Sequence, residues 1–478
     1  MALLQSAPAA VRATGLPPGR RPGPAHWLPL LPLLATVLLL AAPLPAGDGL
    51  GSRGPAPADL ASAALVLFVA FRLLRTRARP LTPAAALVLA LPVAALALAT
   101  VTAADPAAAL PGLVRHLQVF VLVPAAVLLS LRDARDVRLL AAALVALAVV
   151  QGALGLHQYA TATGASYMGE NIRAVGTFGP TDVMGMATVV AYGLLAAAAI
   201  ALLPPPNAPH WLRPAALALA AALAVPLALS FSRGAWIATA AAGTVVLALT
   251  GLRRAVKTLA VLAAAVVVLV GGLGAGSQLI SERVGSITRV TEAPDRSVTD
   301  RYAMWAAAGS MWRQSPATGV GLKGFPAHRD GHASIGLSSA ADTAGAGFAF
   351  RHQPLLSPHN MYLLILSEQG LIGLTAFAGG WAAILTAGVV RLARLVRERR
   401  APGRHGRRPA TAGDCGLIAV ALMLWQTVDF LYADIGGPST VLTGVVLGLA
   451  AWWALAPAAG ATGVAGAAVT GREATTAA

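Results

Sequence analysis

The sequence predicts an all-α fold, a polytopic bundle of about twelve membrane-spanning helices carrying one long extracytoplasmic loop. Three observations predict it. The 478 residues are 57% hydrophobic and only 11% charged, with a mean hydropathy of +0.71. A soluble domain of this length needs more charge to cover its surface. Apolar runs of roughly 20 residues, enough to cross about 30 Å of hydrocarbon, fill most of the chain. Backbone polar groups in lipid must be satisfied internally, which leaves helices as the solution for such runs.

Residues 1–26 form a basic arm with Arg12, Arg20 and Arg21, expected in the cytoplasm. The apolar run 27–46 ends near Ala-Gly as a signal peptide would, but this arm is long for a signal n-region, so the first helix is expected to be retained. Further spans are predicted near 59–75, 81–103, 112–131, 137–158, 182–203, 212–231, 235–251 and 256–276. After a long loop at 277–357 come spans near 359–391, 415–432 and 437–457. Transmembrane helices 1–9 thus occupy 27–276 and helices 10–12 occupy 358–457, while the small, polar segment 458–478 reads as a disordered cytoplasmic tail. A continuous helix over 359–391 would run about 50 Å, too long for one span, so a break or strong tilt is expected near Gly370.

Orientation follows from the basic loops. Arg72 to Arg79, then Arg132, Arg135 and Arg138, then Arg253, Arg254 and Lys257, then Arg391 to Arg408 fall on one side when the spans alternate. By the positive-inside rule that side is cytoplasmic, with both termini inside and the protein in the plasma or inner membrane. The net charge of +16 therefore does not signal nucleic acid, for which no basic domain exists. The single cysteine, Cys415, excludes an intramolecular disulfide. The loop at 277–357 exceeds the length of an idle connection and reads as functional. Its segment 300–313 has an apolar face at helical spacing, suited to lying along the membrane surface.

Three polar clusters then need explaining, and this topology puts all of them outside. Arg173 lies in NIRAVGTFGPTD, a Gly-rich turn leading into a span. Arg233 lies in SFSRGAW, between two spans with almost no loop. It either snorkels to headgroups or cradles an anionic group, for which the rigid guanidinium fork suits phosphate. His359 follows Ser357-Pro358, which reads as a helix cap and first turn. Either it is a structural interfacial histidine or, neutral near pH 7 at a helix N-terminus, a general base. Asn360 and Glu368 follow on the same segment, Glu170 and Asp182 flank the first arginine, and Asp429 sits near the outer end of its span. His328 and His332 have the i, i+4 spacing of a metal pair only if helical; Pro326 and Gly331 argue against a helix, no third ligand is evident, and no metal or cofactor is expected.

Taken in order, GTFGPTDVMGMA, LSFSRGAWIATAAAG, RYAMWAAAGSMWRQSPATGVGLKGF and PHNMYLLILSEQGLIGL resemble the O-antigen ligase and O-antigen polymerase superfamily over roughly residues 140–395. The resemblance implies a metal-independent, GT-C-type membrane glycosyltransferase. Its donor would be a saccharide on undecaprenyl pyrophosphate and its acceptor a hydroxyl of a glycan, glycolipid or protein. It also implies that Arg173, Arg233 and Arg301 hold the pyrophosphate, with Arg296 and Arg313 as neighbours of the third, and that His359 activates the acceptor. Many relatives carry asparagine after the Gly-Pro step, where this chain has Pro180-Thr181-Asp182, so Asp182 puts a carboxylate in a supporting position. Two other classes compete. A secondary transporter also has about twelve spans with both ends inside, although internal repeats and matched midplane breaks are not seen. A non-catalytic assembly partner would tolerate loss of Arg233 and His359.

Overall fold

The computed structural model describes residues 27–43, 56–77, 81–167, 170–179, 182–251, 253, 256–257, 296–333, 340–343, 351–354, 356–400 and 412–455. The basic arm, the span expected at 256–276 (but for the first two residues), residues 277–295 of the long loop and the C-terminal tail lie outside them. Among the described residues, fourteen α-helices run in the order α1 Leu31–Leu38, α2 Pro57–Thr76, α3 Pro83–Val101, α4 Pro106–Leu117, α5 Val123–Ser130, α6 Ala134–Ala160, α7 Gly185–Leu202, α8 Leu212–Leu229 and α9 Arg233–Thr250, then α10 Arg296–Gln314, α11 Phe325–His332, α12 Met361–Arg400, α13 Gly413–Asp429 and α14 Val441–Leu455. Two short antiparallel hairpins, β1 Ala165–Tyr167 with β2 Glu170–Arg173 and β3 Ala340–Thr343 with β4 Arg351–Pro354, decorate the loops.

Nine helices among the described residues are long and apolar enough to cross a membrane, with α4 and α5 counted as one 25-residue span through a π-helical turn at Gln118–Leu122. The protein is a multi-pass membrane protein. The span expected at 27–46 is a shorter apolar helix, Leu28–Ala41, and that expected at 415–432 is the 17-residue α13. Starts are set by local chemistry. Pro57, Pro83 and Pro106 occupy first turns, and the side chains of Thr82, Asp105, Asp133 and Ser232 accept first-turn backbone N–H groups.

The gradient of burial gives the layering. Windows of α7 and of the Pro438–Leu455 span are 72% buried within the bundle, against 22% for α2 and 28% for α8. Helices α7, α13 and α14 are therefore the core, and α2 and α8 turn most of their surface to lipid. Arg138 pairs with the fully buried Asp414 at 2.6 Å, tying α6 to α13 at the end of the bundle remote from His359. Tyr192, Gln426 and Thr443 form a buried polar knot among α7, α13 and α14.

The expected break in α12 falls at Gly370, whose backbone takes φ +64°, ψ −161°. A broken helix leaves backbone groups without partners at membrane depth, and this one fills them from the segment after α10. Val320 N–H donates to the Ser367 carbonyl at 2.8 Å, Leu371 N–H to Pro316 at 2.9 Å and Ile372 N–H to Ala317 at 3.2 Å. Helix α10 does not use its apolar face on the membrane surface as the sequence suggested. Met304, Ala307, Ala308 and Met311 are buried in the hydrophobic core, and α10 packs on α12. The expectation that Pro326 and Gly331 preclude a helix is also overturned: α11 forms with Pro326 in its first turn, where its missing N–H costs nothing.

Gly370→Ala is expected to destabilise the fold by more than about 2 kcal/mol, because the new Cβ would overlap the Ala317 carbonyl and the residue would remain at positive φ. Thermal unfolding in detergent checks it. An unchanged melting temperature would mean the 316–320 segment does not depend on the break.

Candidate functional site

Five segments converge at one end of the bundle. The first is the α8–α9 turn. Phe231 takes φ +50° to make the reversal, Ser232 caps α9 through its Oγ on Ala235 N–H at 3.2 Å, and Arg233 is the first helical residue. Gly234 packs closely on Tyr432, where a Cβ would sit 3.0 Å from Tyr432 Cβ and the tyrosine would have to give way by a few tenths of an ångström.

The second segment is the GTFG loop between β2 and α7, which runs among helices and takes its hydrogen bonds from two glutamines one face of α6 presents. Gln158 Oε1 accepts from Val175 and Gly176 at 3.1 and 2.9 Å, and its Nε2 donates to the Gly176 carbonyl at 2.8 Å. Gln151 Oε1 accepts from Thr177 N–H at 3.0 Å. The loop delivers Arg173 to the α8–α9 turn, where its Nε donates to the Ser230 carbonyl at 2.9 Å and its Nη2 meets Met184 Sδ at 2.8 Å.

The third and fourth segments are α10, which supplies Arg301, and the Ser357–Asn360 stretch before α12. The expected cap is corrected here. Ser357 and Pro358 lie outside the helix; Asn360 is the cap, its Oδ1 accepting from Leu363 N–H at 3.0 Å, and α12 begins at Met361. His359 consequently sits just before the helix, half-buried, with φ +47°. The fifth segment, 430–439, runs from the end of α13 into α14. Met361 N–H bonds the Phe430 and Ala433 carbonyls at 2.9 and 3.0 Å, and Asn360 Nδ2 donates to Leu431 at 3.1 Å.

Arg301 lies within electrostatic reach of Arg233, Asp434, Asp429 and Tyr432, and of His359. Burial and then the Arg233 charge push its guanidinium below its ordinary range, while the carboxylates of Asp434 and Asp429 oppose them. Two guanidiniums confined in this way favour an anion between them. Burial likewise holds His359 below 6.5; Asp434 acts to raise it and Arg301 to lower it further. Both burial and the Arg301 charge thus favour the neutral imidazole.

Of the residues singled out in the sequence, Arg233, Arg301 and His359 share one site, and Arg173 braces its flank through Ser230. Asn360 is the helix cap. Asp182 and Glu368 have other engagements: Asp182 Oδ2 accepts from Ser439 N–H at 2.8 Å, tying the GTFG loop to the start of α14, and Glu368, 2% exposed, accepts from Phe325 N–H at 3.2 Å and so caps α11. His328 and His332 share a helix, but their Nδ1 atoms are engaged by the Gly324 carbonyl and Ser310 Oγ, and no cluster of three or more metal-ligating side chains occurs among the described residues. Sequence reading missed Asp434. Its Oδ2 is buried beside His359 and Arg301 with no hydrogen-bond partner among the described residues. The available signal was an acid between an apolar span and the Gly436-Gly437-Pro438 turn, five positions beyond the Asp429 that was noticed. Arg115 was missed too. It holds Asp59 at 2.5 Å and the Gly437 carbonyl at 2.8 Å, bracing the Asp434 turn from α4.

Residues 217–378 match the family model described as O-antigen ligase. This stretch, about a third of the chain, is similar to the O-antigen ligase family. It begins within α8, ends within α12, and contains Arg233, Arg301 and His359, whereas Arg173 and Asp434 are supplied from outside it. The match supports the resemblance to the ligase and polymerase superfamily that the motifs carry, and with it surface-polysaccharide assembly of the O-antigen ligase type. No curated protein matches the chain.

Asp182 gives a prediction independent of activity. Burial, the largest influence on it, raises its carboxyl above 3.8 despite the hydrogen bonds from Ser439 and the Arg115 charge. The folded state thus pays for the carboxylate at neutral pH, and that penalty disappears as pH falls through the raised value toward 3.8. Relative to Asp182→Asn, the native protein is expected to gain stability between pH 7 and pH 4, measured as the difference in melting temperature. Asp182→Ala should cost about 1 kcal/mol through the lost acceptor for Ser439.

Proposed function

We propose that the protein is a metal-independent membrane glycosyltransferase. It transfers a glycan from an undecaprenyl-pyrophosphate-linked donor to a hydroxyl of a glycan, glycolipid or protein acceptor on the extracytoplasmic face. The observation that carries the reading is that Arg301, on a helix of the long loop, lies within electrostatic reach of both Arg233 and His359. One site thereby offers cations for a leaving phosphate and a neutral imidazole for an acceptor.

The chemistry follows from those two features. His359 takes the acceptor hydroxyl proton as the oxygen attacks the anomeric carbon, a step worth about 10²–10⁴ in rate. The bond from that carbon to the pyrophosphate oxygen breaks, and the departing oxygen gains negative charge. Arg233 and Arg301 are fixed where this charge develops, with Arg173 adding a third cation beside the α8–α9 turn, so their stabilisation needs no reorganisation during the step. Asp434, beside His359, favours the imidazolium once the proton has moved. Direct displacement inverts the donor carbon. Asp182, Asn360 and Glu368 support the site by holding its loops.

The test is transfer in liposomes from a lipid-pyrophosphate-linked glycan to a panel of acceptors, with EDTA present. His359→Ala is expected to lower kcat by about 10²–10⁴, and Arg233→Ala and Arg301→Ala to lower kcat/KM by about 10²-fold or more. Since His359 is depressed below 6.5, kcat/KM should hold at neutral pH and fall only on acidification past that value. Wild-type rates in the variants would remove these residues from the mechanism. Absence of transfer across verified donors and acceptors would favour a transporter or an assembly partner.

A further inference from the structure

His359 occupies a backbone conformation that a non-glycine residue holds only when its surroundings impose it. At φ +47° the residue is in the left-handed region, and such positions persist where neighbouring contacts over-determine them. On its C-terminal side the constraint is plain: Asn360 caps α12 and bonds Leu431, and Met361 bonds Phe430 and Ala433. On its N-terminal side the described contacts are fewer. His359 N–H donates to Ser357 Oγ at 3.3 Å, and the carbonyl of the peptide that joins Pro358 to His359 accepts the indole Nε1–H of Trp305 at 2.9 Å. Pro358 is buried, so this carbonyl depends on a protein donor.

Trp305 stands four residues, one helical turn, after Arg301 on α10. Its ring packs edge-on to Tyr302 with centroids 5.6 Å apart, which fixes the indole plane. One helix of the long loop therefore carries both the guanidinium facing the phosphate site and the donor that holds the histidine's peptide. We propose that Trp305 is the positioning residue of His359: its indole N–H sets the Pro358–His359 peptide and thereby aims the imidazole, coupling the acceptor side of the site to the helix that holds the donor side.

This rests on the glycosyltransferase reading, and the experiment separates the two. Trp305→Phe keeps an aromatic ring and removes the N–H. Trp312→Phe, on the same helix, removes an indole N–H that has no hydrogen-bond partner among the described residues and serves as the control for loss of an indole. Kinetics are read in the liposome assay, and hydrogen–deuterium exchange is followed over residues 356–364, a readout that needs no substrate.

Trp305→Phe is expected to lower kcat by on the order of ten- to a hundred-fold, the cost of a misaimed catalytic group, with donor KM within two-fold of wild type because Arg233 and Arg301 are untouched. Exchange should accelerate at His359 to Met361 and not across α10. Trp312→Phe should match wild type in both readouts. A Trp305→Phe enzyme with wild-type kcat and wild-type exchange would overturn the proposal, as would equal losses in both tryptophan variants or a fall in melting temperature with exchange raised along the whole of α10, which would mark packing alone. If wild type transfers nothing, the glycosyltransferase reading fails; exchange at His359 to Met361 still decides whether Trp305 holds that backbone.

Discussion

A backbone N–H or C=O left unbonded in hydrocarbon costs several kcal/mol, and this constraint explains where the irregular parts of the protein are allowed to be. The bundle interrupts its helices at three places near one end, and each interruption is closed by a specific partner. The break at Gly370 is closed by the Pro316–Val320 backbone. The GTFG loop is closed by the side-chain amides of Gln151 and Gln158. The Pro358–Asn360 turn is closed by Trp305 from one side and by the Leu431 carbonyl from the other. The non-helical backbone that a site needs is thus bought by contacts between elements far apart in the chain.

Those closures also assemble the electrostatics. Arg233 is placed by a capped helix start, Arg301 by a helix of the long loop, and His359 by a turn that the loop helix and α13 pin together. The site concentrates positive charge, and the carboxylates of Asp434 and Asp429 offset it at Arg301. At the remote end the pairs are structural: Arg138–Asp414 ties α6 to α13, and Arg132–Asp136 fixes the entry into α6.

Much of this was legible in residue order. Composition and run length specify a membrane bundle; Gly370 in an over-long apolar run foretells a break; four motifs in sequence lead to the O-antigen ligase family. The errors have physical causes. Ser357-Pro358 has the chemistry of a helix start, but Asn360 makes the cap because Leu431 and Phe430 fix the chain two residues later. Pro326 was read as a helix breaker although at a first turn it is a helix starter. The apolar face of 300–313 signals burial without saying against what, and α12 rather than lipid is the answer.

By itself, the sequence determined what local chemistry decides: which segments are apolar enough to enter a bilayer, where helices start and fail, and which arginines and which histidine stand at their ends. Tertiary structure alone decided the rest. That Asp434 faces His359, that Asp182 holds the turn before α14 and Glu368 caps α11, and that Trp305 reaches Pro358 depend on pairs separated by 43 to 257 residues. Such pairings arise from helix packing and backbone satisfaction, and no short window of sequence encodes them.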